Sequence, residues 1–419
     1  MFLSSLGAIA FARAASFDIV LTATITAALS CFFVWQLRSS ANSAGKPSSA
    51  LLIGFYFFIG LSLLAKGLVG LVLPFGIIGT YFVVRREWPK RKLLLSLLWG
   101  MPIAVGVAAL WYGPMIYRHG WIFIDQFFIQ HHFARYLSNK FHHPQPFYYY
   151  LPMLALLSLP WTLFLSASFF SRGHKGNASE AKDELKWFAL IWVLVPLVFF
   201  SLSESKLPGY ILPVLPAVAL LTGLQAERVR HKTRGDWITP ATGIVIIATT
   251  AAGAWYSVHS LGLSGRFALA ALVVSAIAGV VVIFQRSKTL ALLLIALTPF
   301  AVSVASIQGA KVPAEGTSAR DLILAADARG YSNAPVFYML CDDRTAEFYA
   351  GGRLAYQTNG EPFRFDGAQD LAAMLGEKGG VGLVLIETRW EHQLTDYAAV
   401  RTERIGSNRT LTLFAVRTR

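Results

Sequence analysis

The sequence predicts an α-helical polytopic membrane protein of about ten spans plus a partial one, carrying a small C-terminal extracytoplasmic α/β domain. Three observations lead there. The 419 residues are 55% hydrophobic and only 14% charged, too apolar for a soluble domain of that length. Apolar runs of about 20 residues, the length that crosses a bilayer, recur along most of the chain. From about residue 310 they give way to short alternating segments of a different kind.

The spans are expected near 17–37, 51–65, 67–84, 93–115, 149–170, 187–203, 208–225, 237–258, 266–285 and 289–309. Their loops alternate in charge. Those holding Arg38, Arg85, Arg86, Lys90, Lys182, Arg228 and Arg286 belong to a set with 17 basic residues, whereas the opposite set, from Arg13 to Arg266, has 7. The positive-inside rule makes the first set cytoplasmic. It also disposes of a nucleic-acid reading of the net charge of +14, because residues 1–309 carry 24 Lys+Arg against 9 Asp+Glu and the remainder 13 against 14. The excess belongs to the membrane part, so no nucleic-acid partner is expected.

Two domains follow: a multi-span membrane domain over 1–309 and an extracytoplasmic α/β domain over 310–419. In the second, "APVFYML", "VGLVLIET" and "TLTLFAVRT" read as strands, and "SARDLILAADARG" and "AQDLAAMLGEKG" as helices closed by glycine. Cys31 falls in a span and Cys341 in the tail, so they are not expected to pair. "MFLSSLGAIAFARAA" has no basic n-region or cleavage site and is not read as a signal peptide. It is too short to span and reads as the end of a helix whose beginning is absent, which makes the membrane domain N-terminally incomplete.

Chemistry is sought where charge meets the membrane. Only Asp18, Asp125 and Glu204 among the nine acidic residues of 1–309 face outward. An ionisable group at a span end is either wet at the interface or functional. On the same face lie Lys66 with Gly67 and Gly70, His131, His132 and Arg135 in "HHFARY", and Lys206 and Tyr210 in "ESKLPGYILP". A site with several cations and few carboxylates suits a phosphate-bearing ligand, which lysine meets as a point charge and arginine bidentately. The run Phe147 to Tyr150 reads as an interfacial aromatic belt. One histidine from each of the pairs His131/His132 and His142/His143 could build a metal site, and interfacial imidazoles bonded to backbone or headgroup explain them equally well.

"AKGLVGLVLP", "HHFARYLSNKFHHPQPFYYYLPMLALLSLPW" and "SKLPGYILPVLPAVALL" together resemble motifs of the bacterial aminoarabinose-transferase-like glycosyltransferases, in the protein-mannosyltransferase clan with the GT-C fold. The resemblance covers roughly residues 10–225; the later spans and the outer domain match in layout. It implies a membrane enzyme that moves a sugar from undecaprenyl phosphate to an acceptor (a lipid of lipid A type, a glycan or a protein) on the outer side of the bacterial inner membrane. It also implies inversion at the anomeric carbon. Asp18 matches an aspartate near the reacting centre, and Lys66 a lysine at the carrier phosphate, with Leu68 where the family has proline. His132 and Arg135 match an outer-loop motif. His131 stands where some relatives carry a metal-binding glutamate, which leaves a possible divalent metal at His132 open. Lys206 and Tyr210 match a motif beside the carrier channel.

The family's catalytic carboxylate in the first outer loop has no counterpart here. The chain as written is therefore expected to lack the principal base and not to catalyse transfer by itself, with Asp18 the catalytic residue that remains. The segment "FIQHHFARYLSNKFHHPQPFYYYLP" reads as a lid over the lipid-phosphate donor. A flippase for lipid-linked sugars would need polar residues along an inner path, of which the spans hold few. A membrane scaffold for the outer domain would not need Lys66 and Lys206 at one level.

Overall fold

The computed structural model of the protein describes residues 1–14, 16–40, 48–125, 127, 145–171, 179–231, 235–260, 265–315, 317–357, 360–378 and 380–418. The chain forms two compact units, Met1–Ala251 with Leu272–Ser303, and Ala252–Ala271 with Val304–Arg419.

The helices run α1 (Leu6–Arg13), α2 (Phe17–Ser40), α3 (Ser49–Lys66), α4 (Val69–Arg85), α5 (Arg91–Phe123), α6 (Tyr150–Leu157), α7 (Thr162–Phe170), α8 (Ser179–Ser201), α9 (Leu215–His231), α10 (Ile238–Ser260), α11 (Gly265–Phe284) and α12 (Lys288–Glu315). Seven segments among the described residues are long and apolar enough to cross a membrane. The protein is a multi-span membrane protein. The expected span over 149–170 differs in form: α6 and α7 meet at 115° across a break that holds Pro160. Proline removes a donor and clashes with the preceding turn, so one apolar run becomes two short helices. Two further expected spans, 67–84 and 289–309, are shorter apolar helices, Val69–Arg85 and Lys288–Val304. The expected span from 208 begins as a 3-10 run, Pro208–Val214, with prolines at both 208 and 213, before α9 takes over.

The core of the first unit is aromatic. Phe32 lies 6.2 Å from Phe55, 6.1 Å from Phe82 and 6.0 Å from Phe188, which ties α2, α3, α4 and α8 together. The rings of Phe33 and Phe188 stack at 4.7 Å. Charges at helix ends are met by partners: Tyr81 donates to Glu184 at 2.6 Å, Arg85 pairs with the same carboxylate, Lys182 with Glu227 at 2.7 Å, and Lys288 with Asp236 at 2.7 Å. Where helices cross closely, glycine makes room. Gly100 faces the ring of the fully buried Tyr56, whose hydroxyl lies 2.8 Å from Ser96.

Helix α1 has a cap of its own: the Ser5 hydroxyl accepts from Ala8 N. Serine at that position satisfies one of the N–H groups that a helix's first turn leaves without an intrahelical partner. The segment is bound into the fold by Leu6 N, which donates to Leu159 O at 2.8 Å, and by Trp161 Nε1, which donates to Ser4 Oγ at 2.9 Å. A Cβ on Gly7 would press on Leu157 and Leu215. The aromatic run also divides: Phe147 and Tyr148 are exposed as an interfacial belt requires, while Tyr150 is buried and donates to Leu207 O at 3.2 Å.

The second unit contains a five-stranded sheet. Its elements are α13 (Arg320–Ala328), β1 (Val336–Met339), α14 (Arg344–Tyr349), β2 (Arg364–Phe365), α15 (Ala368–Lys378), β3 (Gly382–Glu387), α16 (His392–Thr395), β4 (Val400–Ser407) and β5 (Leu411–Thr418), in sheet order β2-β1-β3-β5-β4. Strands β2, β1 and β3 are parallel, and β5 and β4 are added antiparallel. Leu383 and Leu385 pack on one face with Leu322 and Ile323, and Val384 and Ile386 on the other with Leu371 and Leu375. The three expected strands and two helices are present; β2 and β4 are additions. Cys341 donates to Leu385 O at 3.0 Å, and burial pushes its thiol up to about 12. Both cysteines are free.

Gly100→Val should force its methyls into the Tyr56 ring and cost about 1–3 kcal/mol, the usual result of overpacking. The check is thermal unfolding in detergent, read beside Gly106→Val, where no side-chain or backbone atom lies within 4 Å of an added Cβ.

Candidate functional site

The site is built from the first turn of α2, the last residue of α3 and the turn that precedes α9. Asp18 stands in the first turn of α2, and Ser16 closes that turn: its hydroxyl accepts from Asp18 N at 3.2 Å and donates to Asp18 Oδ2 at 2.8 Å. Lys66 ends α3, and the chain reverses at Gly67, whose φ of 61° is a conformation glycine adopts without strain. The reversal is held from both sides. Ser62 donates to Gly70 O at 2.7 Å, and Tyr112 donates to Leu63 O at 2.6 Å. Gly70 packs directly on the Ser62 carbonyl, so a side chain there has no space.

This geometry brings the Lys66 ammonium onto Asp18 Oδ1 in an ion pair, the side chains 28% and 14% exposed. With Ser16 on Oδ2, both carboxylate oxygens are engaged. Lys66 also lies 4.3 Å from the centroid of the Tyr210 ring, a cation–π contact. Tyr210 is buried against Phe200, their rings 5.4 Å apart. Beside it, Gly209 presses its backbone against Asp18, and a Cβ there would collide with Oδ2 and with Phe11 at 2.8 Å. The 3-10 turn thus needs glycine for the carboxylate and tyrosine for the ammonium.

Of the residues singled out in the sequence, Asp18, Lys66 and Tyr210 come together. Lys206 is buried four residues before Tyr210, and its ammonium donates to Ser203 O. Glu204 is exposed, and Asp125 is half-buried just past the end of α5. His131, His132, Arg135, His142 and His143, and with them the metal and most of the lid, lie outside the described residues. Among the described residues no group of three or more His, Cys, Asp or Glu side chains could hold a metal ion. Sequence reading passed over Ser16 and Gly209. The signal for the first was a serine two residues before the aspartate at a helix start, the pattern of an N-cap. For the second there was none, because the close approach is tertiary.

No protein-family model matches the chain. Two curated proteins named undecaprenyl phosphate-alpha-4-amino-4-deoxy-L-arabinose arabinosyl transferase are similar in sequence. One, from Edwardsiella ictaluri, is 29% identical over 222 residues, covering 51% of this chain and 36% of the relative. The other, from Erwinia tasmaniensis, is 33% identical over 207 residues, covering 49% and 35%. The matched stretch is thus little more than a third of either relative's length. The crystal structure of ArnT from Cupriavidus metallidurans bound to undecaprenyl phosphate superposes with a TM-score of 0.77 at 21% identity, over 99% of this chain and 77% of that one. The chain shares the fold of that structure, and about half of it is similar in sequence to the arabinosyl transferases. The apo form of the same Cupriavidus protein matches with a TM-score of 0.72.

Asp18→Asn and Lys66→Met should each destabilise the protein, and their effects should not add. A double-mutant cycle read by thermal unfolding should give a coupling of about 0.5–3 kcal/mol, the range for contacting residues. Additive losses would mean that the pair is not formed.

Proposed function

We propose that the chain is the membrane part and outer domain of an integral membrane glycosyltransferase. It moves a sugar from an undecaprenyl (polyprenyl) phosphate donor to an acceptor on the outer face of the bacterial inner membrane. The acceptor is a lipid of lipid A type, with a glycan or a protein as the other classes the chemistry allows. The observation that carries this reading is the convergence of Asp18, Lys66 and Tyr210 at helix ends of a GT-C fold. The similar curated proteins are named for transfer of aminoarabinose from the same carrier.

In the reaction, the acceptor hydroxyl oxygen bonds to the anomeric carbon as the bond from that carbon to the phosphate oxygen breaks. The carrier leaves as undecaprenyl phosphate, and the hydroxyl proton passes to a base. Cationic groups aimed at the leaving phosphate favour bond breaking. Lys66, Arg135 and Lys206 fill that role, and Tyr210 holds Lys66 in place. Asp18 is the catalytic carboxylate at the reacting centre, orienting the Lys66 ammonium and assisting proton removal.

Charge alternation supports the orientation: basic loops inside, residues 116–148 and the domain over 310–419 outside. In spheroplasts of a Cys31→Ala, Cys341→Ala background, a cysteine at Arg409 should react with an impermeant thiol reagent, and one at Arg86 only after lysis. Both positions are exposed. The reverse pattern would overturn the orientation and the outer-face site with it.

The functional test is transfer of radiolabelled sugar from its undecaprenyl-phosphate donor to lipid A in membranes that contain the protein. Any transfer should fall by about two to four decades in Asp18→Asn, the usual contribution of an acid–base group. Failure of undecaprenyl phosphate to bind the chain would refute the reading, whereas robust transfer would make Asp18 the principal base.

A further inference from the structure

Two tyrosines near the site repeat one arrangement. Tyr112 lies on α5, and its hydroxyl donates to Leu63 O at 2.6 Å; Tyr150 opens α6, and its hydroxyl donates to Leu207 O at 3.2 Å. Leu63 stands three residues before Lys66, and Leu207 three before Tyr210. Each carbonyl also closes the turn that carries the site residue: Leu63 O accepts from Gly67 N at 2.7 Å, and Leu207 O from Tyr210 N at 3.1 Å. A carbonyl has two lone pairs, so one serves the turn and the other the phenol. The phenols are themselves held. Past the break at Gly120, Phe123 and Phe127 return to the Tyr112 ring, at 6.3 and 5.5 Å between centroids. Phe200 lies 6.3 Å from the Tyr150 ring and 5.4 Å from that of Tyr210, and Tyr150 is within electrostatic reach of Asp18 as well.

A buried hydroxyl must bond to something, and a phenol that only satisfied itself could take any nearby acceptor. Tyr56 is such a case: it is buried on α3, ten residues before Lys66, and its hydroxyl lies 2.8 Å from Ser96. Tyr112 and Tyr150 instead both take the carbonyl that fixes where the backbone of a site residue sits. The flexible stem of a lysine leaves its ammonium limited only by its backbone anchor and its partners. A helix end free to fray would let that ammonium drift from Asp18 and from the Tyr210 ring.

We propose that Tyr112 and Tyr150 are positioning residues: from α5 and from α6 they fix the end of α3 and the 3-10 turn, so that the Lys66 ammonium meets Asp18 and the Tyr210 ring together. Each acts through a backbone carbonyl, and neither takes part in the chemistry. That this geometry serves sugar transfer rests on the proposed function; the positioning itself does not.

The test reads the Asp18–Lys66 pair itself. With the full chain in detergent, the coupling between Asp18→Asn and Lys66→Met is measured by thermal unfolding in the parent and in Tyr112→Phe, Tyr150→Phe and Tyr56→Phe backgrounds. Phenylalanine keeps the ring and removes only the hydroxyl. All three substitutions should lower the melting temperature, since each removes a buried hydrogen bond. The coupling should be largely lost with Tyr112→Phe, reduced with Tyr150→Phe and unchanged with Tyr56→Phe. Coupling kept in all three backgrounds would overturn the proposal, because the tyrosines would then add stability alone. An equal loss with Tyr56→Phe would overturn it too, since any loosening of the helices would have the same effect. A second arm titrates the same variants with undecaprenyl phosphate and reads ligand-induced thermal stabilisation. Its apparent affinity should weaken about two- to tenfold in Tyr112→Phe and Tyr150→Phe, as for one neutral hydrogen bond, and hold in Tyr56→Phe. Coupling lost in the Tyr112 and Tyr150 variants, with no stabilisation of the parent by undecaprenyl phosphate, would uphold the positioning and refute the proposed function.

Discussion

An ammonium at the end of one membrane helix and a carboxylate at the start of another can persist only if each answers the other. The Lys66–Asp18 pair meets that condition, and much of the surrounding structure exists to keep it. The reversal at Gly67 delivers the lysine, the Ser16 cap fixes the second carboxylate oxygen, and Gly209 lets the backbone of the 3-10 turn close on both. Each of the three supports a pair of charges that carry a desolvation cost at the membrane boundary. The same logic recurs at the opposite helix ends, where Arg85 and Tyr81 share Glu184 and Asp236 meets Lys288.

Much of this was legible in the chain. Apolar length finds the helices because a bilayer leaves no other way to satisfy backbone polar groups. Charge sign then groups Asp18, Lys66 and Tyr210 on one face, and the structure puts them in contact. Hydropathy is blind to direction, however: residues 149–170 are uniformly apolar, and only Pro160 hinted that they turn back instead of crossing straight. Strand β4 escaped notice because it is an edge. Arg401, Glu403 and Arg404 cover it with charge, and the irregularity between Arg404 and Gly406 breaks the alternation by which a strand is read. Gly209 was invisible for a third reason, since its neighbour Asp18 is remote in sequence.

The two faces of the β1–β3–β5 sheet are filled by separate sets of side chains, which gives the second unit a core of its own. Its inner parallel pair, β1 and β3, is buried on both sides, as parallel strands require. The charged residues of β4 leave the sheet an edge unsuited to pairing with another chain.

The docking of α1 also sets an order of assembly. Gly7 lies against Leu157 and Leu215, and Leu6 and Ser4 bond to Leu159 and Trp161. Eight residues of helix are too few to be stable alone in water. Residues 6–13 therefore have no settled place until the chain has been made past residue 215 and the bend between α6 and α7 has formed. The contact that completes this corner of the fold closes over more than two hundred residues of intervening chain. Helices α2 to α5 pack on one another, but α2 and α4 also meet α8, so their packing too is completed by later parts of the chain.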